Sequence, residues 1–464
     1  MDGLECSEIR KSELEFSGRI DAEYYQKQYL LFEQMVRKND YHRMAEICHF
    51  LIGPFGSAYD TSNYVDESKY RYIRGQDVKP FFVQEMSPRF MAEQDFLRLQ
   101  KYALKENDLL VSVVGTLGNA CIIQAKELPA IFSCKSTAVR ADSVDPYYLL
   151  AYTNSKYGRK LLLRKERGAI QKGLNLDDLK TFEVPSFSDV FQQEIAWLIQ
   201  KAQQLKTSSQ SLYRNAERVL DEQLNVQIND QRSPVSSVKY LSESFLSSGR
   251  LDAEYYQPKY ESIANELNTS EKVASLCSIY DDTFIPATDT EYRYIELANV
   301  GHYGDVSGVE SVAGEDLPSR ARRKVATGEV IISSVEGSLQ SCALIDDEFD
   351  GALCSTGFYV LDSDEINSET LLVLFKSEPI QALMKQRCSG TILTAISKDE
   401  LLSMPLPKIN TDVQKTVAEK VRESFVLRRK SKELLEYAKQ AVEMAIEQGE
   451  DAALEWLKDR GVMS

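Results

Sequence analysis

The sequence contains a long internal repeat, and this repeat limits the folds that the chain can form. Residues 18–26 read GRIDAEYYQ, and residues 249–257 read GRLDAEYYQ. The tetrapeptide YRYI occurs at 70–73 and again at 292–295. Three more blocks follow in the same order: DLLVS matches EVIIS, GAIQKGLNLDDL matches GTILTAISKDEL, and VP matches LP. Five matches in one order indicate two copies of one domain.

Each copy combines helix and strand signals. Apolar β-type runs such as 109–114 lie between glycine-rich turns, and a helical pattern follows each GR(I/L)DAEYYQ block. Pro185 and Pro407 mark the end of each globular part, because proline cannot continue a helix or a strand ladder. We therefore predict an α+β fold with two duplicated domains.

Each copy ends in a long helical pattern with a heptad-like seam, in which apolar or small residues recur at spacings of three and four. The predicted helix-pairing residues are Ile195, Leu198, Ala202, Leu205, Leu212, Ala216, Leu427, Leu434, Ala438 and Ala441. A helix of about 35 residues spans roughly 50 Å, more than one small domain covers. We predict that the two helices pair as an antiparallel coiled coil. The alternative is that each helix packs on its own domain.

These signals divide the chain into five predicted segments. The segments are 1–187 (an N-terminal helical segment and the first domain), 188–225 (a long helix), 226–409 (a linker, a helical segment and the second domain), 410–448 (a second long helix) and 449–464 (an acidic C-terminal tail).

The net charge of −16 has the wrong sign for a simple prediction of DNA binding. The charge is uneven: residues 1–231 carry 30 Lys and Arg against 32 Asp and Glu, whereas residues 232–464 carry 25 against 39. Net charge does not decide whether one face is basic. The chain shows neither a membrane-spanning apolar run nor the core of a signal peptide, so we expect a cytoplasmic protein.

No motif in the sequence indicates an active site. Six of the eight cysteines repeat between the copies in apolar contexts without C-x₂-C spacing, so we predict buried small side chains and no metal site. No nucleotide-binding glycine loop is present. The GPFG sequence at 53–56 is weakly similar to an S-adenosylmethionine loop, but we expect no hydrophobic strand before it. The DPYY sequence at 145–148 is similar to a methyltransferase motif without its second proline, and we predict a helix N-terminus there.

The order of these blocks, duplicated and followed by heptad helices, resembles the DNA-specificity subunits of type I restriction–modification systems. The blocks that carry the resemblance are RIDAEYYQ, YRYIRGQDV, NDLLVSVVGTLGNACII, DPYYLLAYTNS, GAIQKGLNLDDL and QQEIA, with their second-copy counterparts. Two departures are Glu336, which stands where the first copy has Gly115, and the acidic second half.

The resemblance implies a non-catalytic chain in which each copy is a target-recognition domain that reads one half of a split site in double-stranded DNA. It also implies that the helices dock two methyltransferase subunits and that restriction motor subunits join the complex. The chain itself would hold no cofactor, whereas its partners would use S-adenosylmethionine, and ATP with magnesium. A pseudo-two-fold protein matches the symmetry of duplex DNA.

The positions where the copies diverge are candidates for the DNA-reading surface. The first copy is basic from 156 to 172, where the second copy is nearly neutral. Lysines would hold phosphates, and arginines could also read guanine. The predicted DNA-binding residues are Lys69, Arg71, Arg74, Gln76, Lys156, Arg159, Lys160, Arg164, Lys165, Lys172, Arg320, Arg322, Arg323, Lys324, Lys385 and Arg387.

Two other classes of protein stay open from the sequence. One is an enzyme with attached recognition domains, although the missing cofactor motifs count against it. The other is a specificity-subunit-like scaffold, or a DNA-mimicking interaction protein of another defence assembly, which the acidity of the second half favours.

Overall fold

The computed structural model describes residues 5–168, 172–226, 236–390 and 394–464. Parts of the repeated blocks at 168–179 and 390–401, and part of the predicted linker, lie outside the described residues. The chain forms two compact units: unit 1 contains residues 1–205 and 430–464, and unit 2 contains residues 206–429. The division falls inside both long helices.

Unit 1 contains most of the first copy. Its helices are α1 Lys11–Ser17, α2 Lys27–Arg37, α3 Met44–Ile47, α4 Glu93–Arg98, α5 Pro146–Asn154, α6 Lys156–Arg164, α7 Leu176–Lys180, the first part of α8 Asp189–Leu224, the last part of α15 Thr411–Gln448 and α16 Glu450–Asp459. Its strands are β1 Tyr41–Arg43, β2 Cys48–Ile52, β3 Tyr64–Val65, β4 Arg71–Ile73, β5 Phe81–Phe82, β6 Arg89–Met91, β7 Leu109–Ser112, β8 Ala120–Ile122, β9 Ala130–Phe132, β10 Ser136–Ala141 and β11 Glu183–Pro185.

The main sheet of unit 1 has the strand order β2-β10-β7-β8-β5, and a second sheet has the order β3-β6-β4-β9. Strand β10 lies antiparallel to both β2 and β7, with Thr137 opposite Ile52 and Ser136 opposite Ser112. The apolar run at 109–112 is fully buried, as expected for a central strand that is covered on both faces. Because of this register, β2 ends, β7 ends and β10 begins at the same edge of the sheet.

Unit 2 contains the second copy. Its helices are α9 Phe245–Ser248, α10 Pro258–Leu267, α11 Val273–Leu276, α12 Ser368–Lys376, α13 Glu378–Arg387, α14 Lys398–Ser403, the second part of α8 and the first part of α15 Thr411–Gln448. Its strands are β12 Ser278–Tyr280, β13 Glu291–Ile295, β14 Ser311–Ala313, β15 Ala321–Lys324, β16 Val330–Ser333, β17 Cys342–Leu344, β18 Leu353–Ser355, β19 Phe358–Asp362, β20 Cys388–Ser389 and β21 Ala395–Ile396.

The sheets of unit 2 have the orders β12-β19-β16-β17 and β14-β13-β18-β15. The first order matches β2-β10-β7-β8 of unit 1 when strands are paired by the repeated sequence blocks. The YRYI strand pairs in parallel with a later strand in both units, β4 with β9 and β13 with β18. The predicted α+β class is confirmed.

The two long helices contact each other inside unit 1, where α8 packs against the end of α15. The Ser431 hydroxyl donates a hydrogen bond of 2.7 Å to the carbonyl of Ala202. Closer to the start of α8, the Ser188 amide donates to Glu450, so the two segments run antiparallel. The seam residues that lie buried in this core are Ile195, Leu198, Ala202, Leu434, Ala438 and Ala441, with Leu205 half-buried.

The long helices also contact each other inside unit 2. Ser209 and Ser424 are hydrogen-bonded across the pair, and Gln223 bonds to both Lys408 and Asn410 further along. Ala216 is buried, but Leu212 and Leu427 are only half-buried. In this part of α8, Tyr213 is completely buried, and its ring packs edge-on against Tyr303. In unit 2 Ser209 and the predicted seam residue Ala216 are thus buried, whereas Tyr213 takes the buried position that we expected for Leu212.

The predicted acidic C-terminal tail needs correction. Residues Glu450–Asp459 form helix α16, and Ala453 and Leu457 on this helix are completely buried in the core of unit 1. Arg460 lies 4.0 Å above the ring of Trp456. We predicted a tail from the many acidic residues of this segment. Charge content alone does not show that one side of a helix is apolar, so the amphipathic pattern was missed.

We expect Tyr213→Phe to leave the stability of the chain unchanged or to raise it by about 1 kcal/mol. In the described part of the chain the buried Tyr213 hydroxyl makes no hydrogen bond, and such a group costs about 1–3 kcal/mol. Tyr213→Ala should cost about 3–5 kcal/mol, because it opens a cavity beside Tyr303. Urea unfolding of the three proteins checks this. A large loss on Tyr213→Phe would mean that the hydroxyl is bonded.

Candidate nucleic-acid interface

The repeated GR(I/L)D motif has the same structural role in each unit. In unit 1 the Arg19 guanidinium forms a two-pronged ion pair with Asp21, with N–O distances of 2.7 and 2.6 Å. The same guanidinium donates to the carbonyls of Lys165 and Glu166 just after α6. These carbonyls lack partners within their helix, so a cation is favourable there. The hydrogen bond from Arg19 also lowers the pKa of Asp21.

Unit 2 repeats this arrangement with Arg250 and Asp252, whose N–O distances are 2.8 and 2.6 Å. Arg250 donates to the carbonyls of Arg387 and Cys388 at the end of α13. Both arginines also lie over a tyrosine of the motif, Tyr24 or Tyr255. The repeated motif therefore joins the N-terminal segment of each copy to a helix end and is not itself a binding surface.

Helix α6, the main predicted DNA-binding segment, is largely committed to internal contacts. The Arg164 side chain is only 5% exposed, and its Nη1 lies 3.1 Å from Glu33. Its Nε donates to the Tyr24 carbonyl, and the guanidinium stacks 4.1 Å from the Tyr24 ring centroid. The structure thus places the Arg164 cation inside the scaffold, with Glu33 and Tyr24 as its partners.

Neighbouring basic residues of α6 are also engaged. Lys165 donates to Thr181, and burial lowers the pKa of its ammonium to about 8. Lys156 pairs with Glu447 at 2.7 Å, and Arg159 donates to Asn119 at 2.6 Å. Lys160 is the exposed cation of this helix for which the described residues provide no carboxylate. The helix thus does not present a continuous basic face.

Five loops of unit 1 meet at the edge where β2 and β7 end and β10 begins. We name this surface the unit 1 loop edge and define it as residues 53–56, 74–76, 113–116, 133–135 and 172–174. The Gly75 amide donates to the Ser133 hydroxyl, and the Val113 amide donates to the Lys135 carbonyl. The Leu174 amide donates to the Val113 carbonyl, so the last loop is tied to the same edge.

The unit 1 loop edge contains three predicted residues and one that sequence reasoning missed. Gln76 and Lys172 are exposed, and Lys172 pairs with Glu166. Arg74 is held by Asp77 through two hydrogen bonds of 2.9 and 2.7 Å, which raises the pKa of Arg74. Lys135 is exposed and was missed, because only the strand register places it at this edge. The sequence does contain one indication of this position, because Lys135 directly precedes the β-type run 136–141 and must therefore lie where that strand begins.

Two further predicted residues lie next to this edge. Lys69 is exposed and lies 4.9 Å from the ring centroid of Tyr70. Arg71 donates to the Gln84 carbonyl at 2.7 Å and lies 3.7 Å from Glu127, so it is part of the scaffold.

The unit 2 loop edge lies where β12 and β16 end and β19 begins. We define it as residues 281–285, 296–298, 334–337 and 355–357, together with 320–323 beside Ser355, a segment that has no counterpart in the unit 1 loop edge. The Thr356 amide donates to the Arg320 carbonyl, and the Phe284 amide donates to the Arg322 carbonyl. The Arg320 side chain is exposed, and Arg322 is partly exposed. Arg323 donates to the Phe358 carbonyl and stacks on Tyr359.

The remaining predicted cations of unit 2 differ in exposure. Lys324 and Lys385 are exposed, and Lys324 lies 6.0 Å from the ring centroid of Phe284. Arg387 donates to Leu383 and Gln386 of its own helix, and burial lowers its pKa. Arg387 is therefore half-buried and engaged by its own helix, unlike Lys324 and Lys385.

The two loop edges share a framework but differ in charge. Residues 74–76 read Arg-Gly-Gln, whereas residues 296–298 read Glu-Leu-Ala. Gly115 corresponds to Glu336, and two aspartates, Asp281 and Asp282, follow β12. The unit 2 loop edge is thus the more acidic of the two.

The structure also bears on the predictions for the DPYY sequence, the GPFG sequence and the cysteines. Asp145 caps α5 by accepting from the amides of Tyr147 and Tyr148, so the predicted helix N-terminus is confirmed. A strand does precede the GPFG loop, since Cys48–Ile52 is β2, and the opposite expectation was wrong. Five of the six repeated cysteines are buried, and Cys134 is half-buried. The described residues contain no metal-ligand cluster, and no helix among them could cross a membrane.

No protein-family model matches the chain, and no curated protein matches its sequence. Three solved structures are similar to it, each over 88% of this chain. One is the S subunit of a type I restriction–modification system from M. genitalium, with 14% identity, 95% of that chain covered and a TM-score of 0.43. The HsdS subunit from Thermoanaerobacter tengcongensis has 14% identity, 97% coverage and a TM-score of 0.30. A chain from a study of complex assembly and conformational transition of the type I R-M system has 13% identity, 98% coverage and a TM-score of 0.28.

We expect Arg164→Gln to destabilise the chain by about 3 kcal/mol, because it leaves Glu33 in a half-buried site without this partner. The matched control is Lys160→Gln, which removes one exposed cation from the same helix and should stay within about 0.5 kcal/mol of wild type. Chemical unfolding checks both variants. Equal stability of the two would show that Arg164 is not part of the scaffold.

We expect a pH-dependent contribution from Lys165, whose folded-state pKa of about 8 lies below its ordinary value of 10.5. Between these values the unfolded chain binds more protons than the folded chain, so the free energy of unfolding rises with pH across this window. Lys165→Met should lack that part of the rise and should be more stable than wild type below pH 8. Parallel slopes for both proteins from pH 8 to 10.5 would contradict this.

Proposed function

We propose that this chain is a non-catalytic DNA-recognition protein in which two copies of one scaffold read the two halves of a split site. More specifically, we propose that it is the specificity subunit of a type I restriction–modification complex. The observation that carries the proposal is that matched frameworks present different residues at the same loop edge. Two unlike reading surfaces suit an asymmetric bipartite sequence.

The common framework supports duplication of the domain. Arg19 and Arg250 make equivalent contacts at equivalent helix ends, and the core strands follow the same order in both units. At the loop edges, Gln76 and Lys135 of unit 1 are exposed, as is Arg320 of unit 2. Amide and cationic side chains of this kind bind base edges and phosphates.

The long helices support a scaffolding role. We propose that α8 and α15 form an antiparallel coiled coil and that their outward faces dock two methyltransferase subunits. The buried face of each helix contacts the other long helix and the adjacent domain, whereas residues such as Lys201, Arg214 and Arg218 remain exposed. The methyltransferase partners would bind S-adenosylmethionine, and the motor partners would bind ATP with magnesium.

A second candidate function rests on the acidity of the second half. Asp281, Asp282, Glu296 and Glu336 belong to the unit 2 loop edge, where they would repel phosphate. A specificity-subunit-like scaffold, or a DNA-mimicking protein of another defence assembly, would fit this charge. Binding to DNA decides between the two candidates.

The test uses the full chain purified from its own cells with its partners and incubated with a random pool of duplex DNA. We expect the selected DNA to share two short conserved blocks separated by a fixed spacer. Lys135→Ser or Arg320→Ser should each flatten the dependence of log affinity on log salt by about one unit per lost phosphate contact. The control variants Lys101→Ser and Lys272→Ser remove exposed cations outside the loop edges and should keep the wild-type slope.

Two results would contradict the proposal. Recovery of no shared sequence from the pool would favour the acidic scaffold instead. Equal effects of the loop-edge and control variants would show that binding depends on total charge and not on these surfaces.

A further inference from the structure

The first loop of each loop edge carries an exposed apolar side chain. In unit 1 the loop after β2 presents Phe55, which is 73% exposed. In unit 2 the loop after β12 presents Ile285, which is 79% exposed. Cys48 and Cys277 begin the corresponding segments, so Phe55 aligns with Phe284 and Ile285 is the next residue. The two loops differ in sequence, and their exposed apolar tips lie one residue apart in the alignment of the copies.

The unit 1 tip is held by a close approach of backbones. A Cβ atom on Gly53 would lie 2.7 Å from the carbonyl carbon and oxygen of Ser133, so only glycine fits there. The Ala58 amide then donates to the Phe55 carbonyl at 2.8 Å and closes a turn around the tip. The loop is therefore fixed beside residues 133–135 while its aromatic ring points away from the apolar core.

The unit 2 tip is held by different contacts. The Phe284 amide donates to the Arg322 carbonyl at 2.7 Å, and the Phe284 ring packs at 70° against Tyr292. Because the Phe284 ring packs against Tyr292, the exposed apolar side chain of this loop is that of the next residue, Ile285. Each unit thus anchors the loop and leaves one large apolar side chain outside.

Each tip lies on a loop edge that also carries exposed polar or cationic groups. Lys135 and Gln76 share the unit 1 loop edge with Phe55, and a Cβ on Gly75 would lie 2.7 Å from the Cβ of Lys135. Arg320 shares the unit 2 loop edge with Ile285. The unit 2 loop edge also exposes Leu297, at 40%, and it carries the acidic residues named above. An exposed apolar tip beside a cation fits DNA, because the cation can meet a phosphate while the apolar group meets bases.

We propose that Phe55 and Ile285 are the base-contacting tips of the two units, each making apolar contact with bases of its own half-site. This inference rests on the proposed function and names residues that determine specificity. Two kinds of contact share this chemistry: packing on the methyl group of a thymine, and wedging between neighbouring base pairs. The tips complement the polar readers and do not replace them.

The test compares DNA selected by the full chain with its partners and by the variants Phe55→Ala and Ile285→Ala. Each variant should weaken the preference for one or two base pairs in one half-site by at least about fivefold, since a base contact contributes roughly 1–3 kcal/mol. The two variants should affect opposite half-sites. Both side chains are exposed, so their removal leaves the core intact.

Matched controls are Ile20→Ala and Leu251→Ala. These residues are 91% and 72% exposed, but they belong to the repeated GR(I/L)D motif and not to a loop edge. Both controls should select the wild-type sequence. Targets with deoxyuridine in place of thymidine distinguish the two kinds of contact: lost discrimination indicates the methyl group, whereas increased 2-aminopurine fluorescence at the affected step indicates a wedge.

The outcomes separate this inference from the proposed function. If the wild-type protein selects a split site and Phe55→Ala and Ile285→Ala select it equally well, the tips are not readers and the proposed function stands. If the tip variants and their controls lose affinity alike without a change in sequence preference, the inference is also overturned. If the wild-type protein selects no DNA sequence, both fail together.

Discussion

The register of the antiparallel core sheet is the constraint on which the candidate interface depends. In unit 1, β10 pairs with β2 on one side and with β7 on the other, so that three loops leave at one edge. Leu109 and Val111 of β7 face one hydrophobic core and Leu110 faces another, so a shift of one residue would exchange the side chains that the two cores receive. The loops are therefore positioned by a rigid core, and their own sequences are free to change. This is the usual division between a scaffold and a binding surface.

The repeat itself separates these two roles. What the copies share, such as Arg19 with Arg250 and the YRYI strands, makes internal contacts in both units. Where the copies differ, as at 74–76 and 296–298, the residues belong to the loop edges. Similarity between copies thus marks the framework, and divergence marks the surface, provided that the divergent residues are exposed. The sequence of helix α6 differs strongly between the copies, but most of its residues are buried, so this divergence does not mark a binding surface.

Much of the fold could be predicted from the sequence, because the repeat and the periodicity of the long helices are local patterns. The candidate site was less accessible. Arg164 looked available because its partner, Glu33, is distant in sequence, and a count of neighbouring charges cannot reveal such a contact. Lys135 was missed for the opposite reason: it stands alone in the sequence and joins Gln76 only through strand register. Tertiary contacts decide which cations remain at the surface. These contacts join residues that are distant in the chain, so they cannot be read from a single sequence.

The net negative charge of the chain is compatible with DNA binding when the charges at the two loop edges are considered separately. An acidic protein can bind DNA when its cations face phosphate at short range, because salt screens repulsion from charges more than about 10 Å away. Unit 1 supports such contacts through Lys135, whereas unit 2 opposes Arg320 with Asp281, Asp282 and Glu336. The acidic unit would then depend more on direct contact with bases and less on phosphate attraction. An apolar tip such as Ile285 provides that kind of contact, since its contribution does not weaken as salt rises.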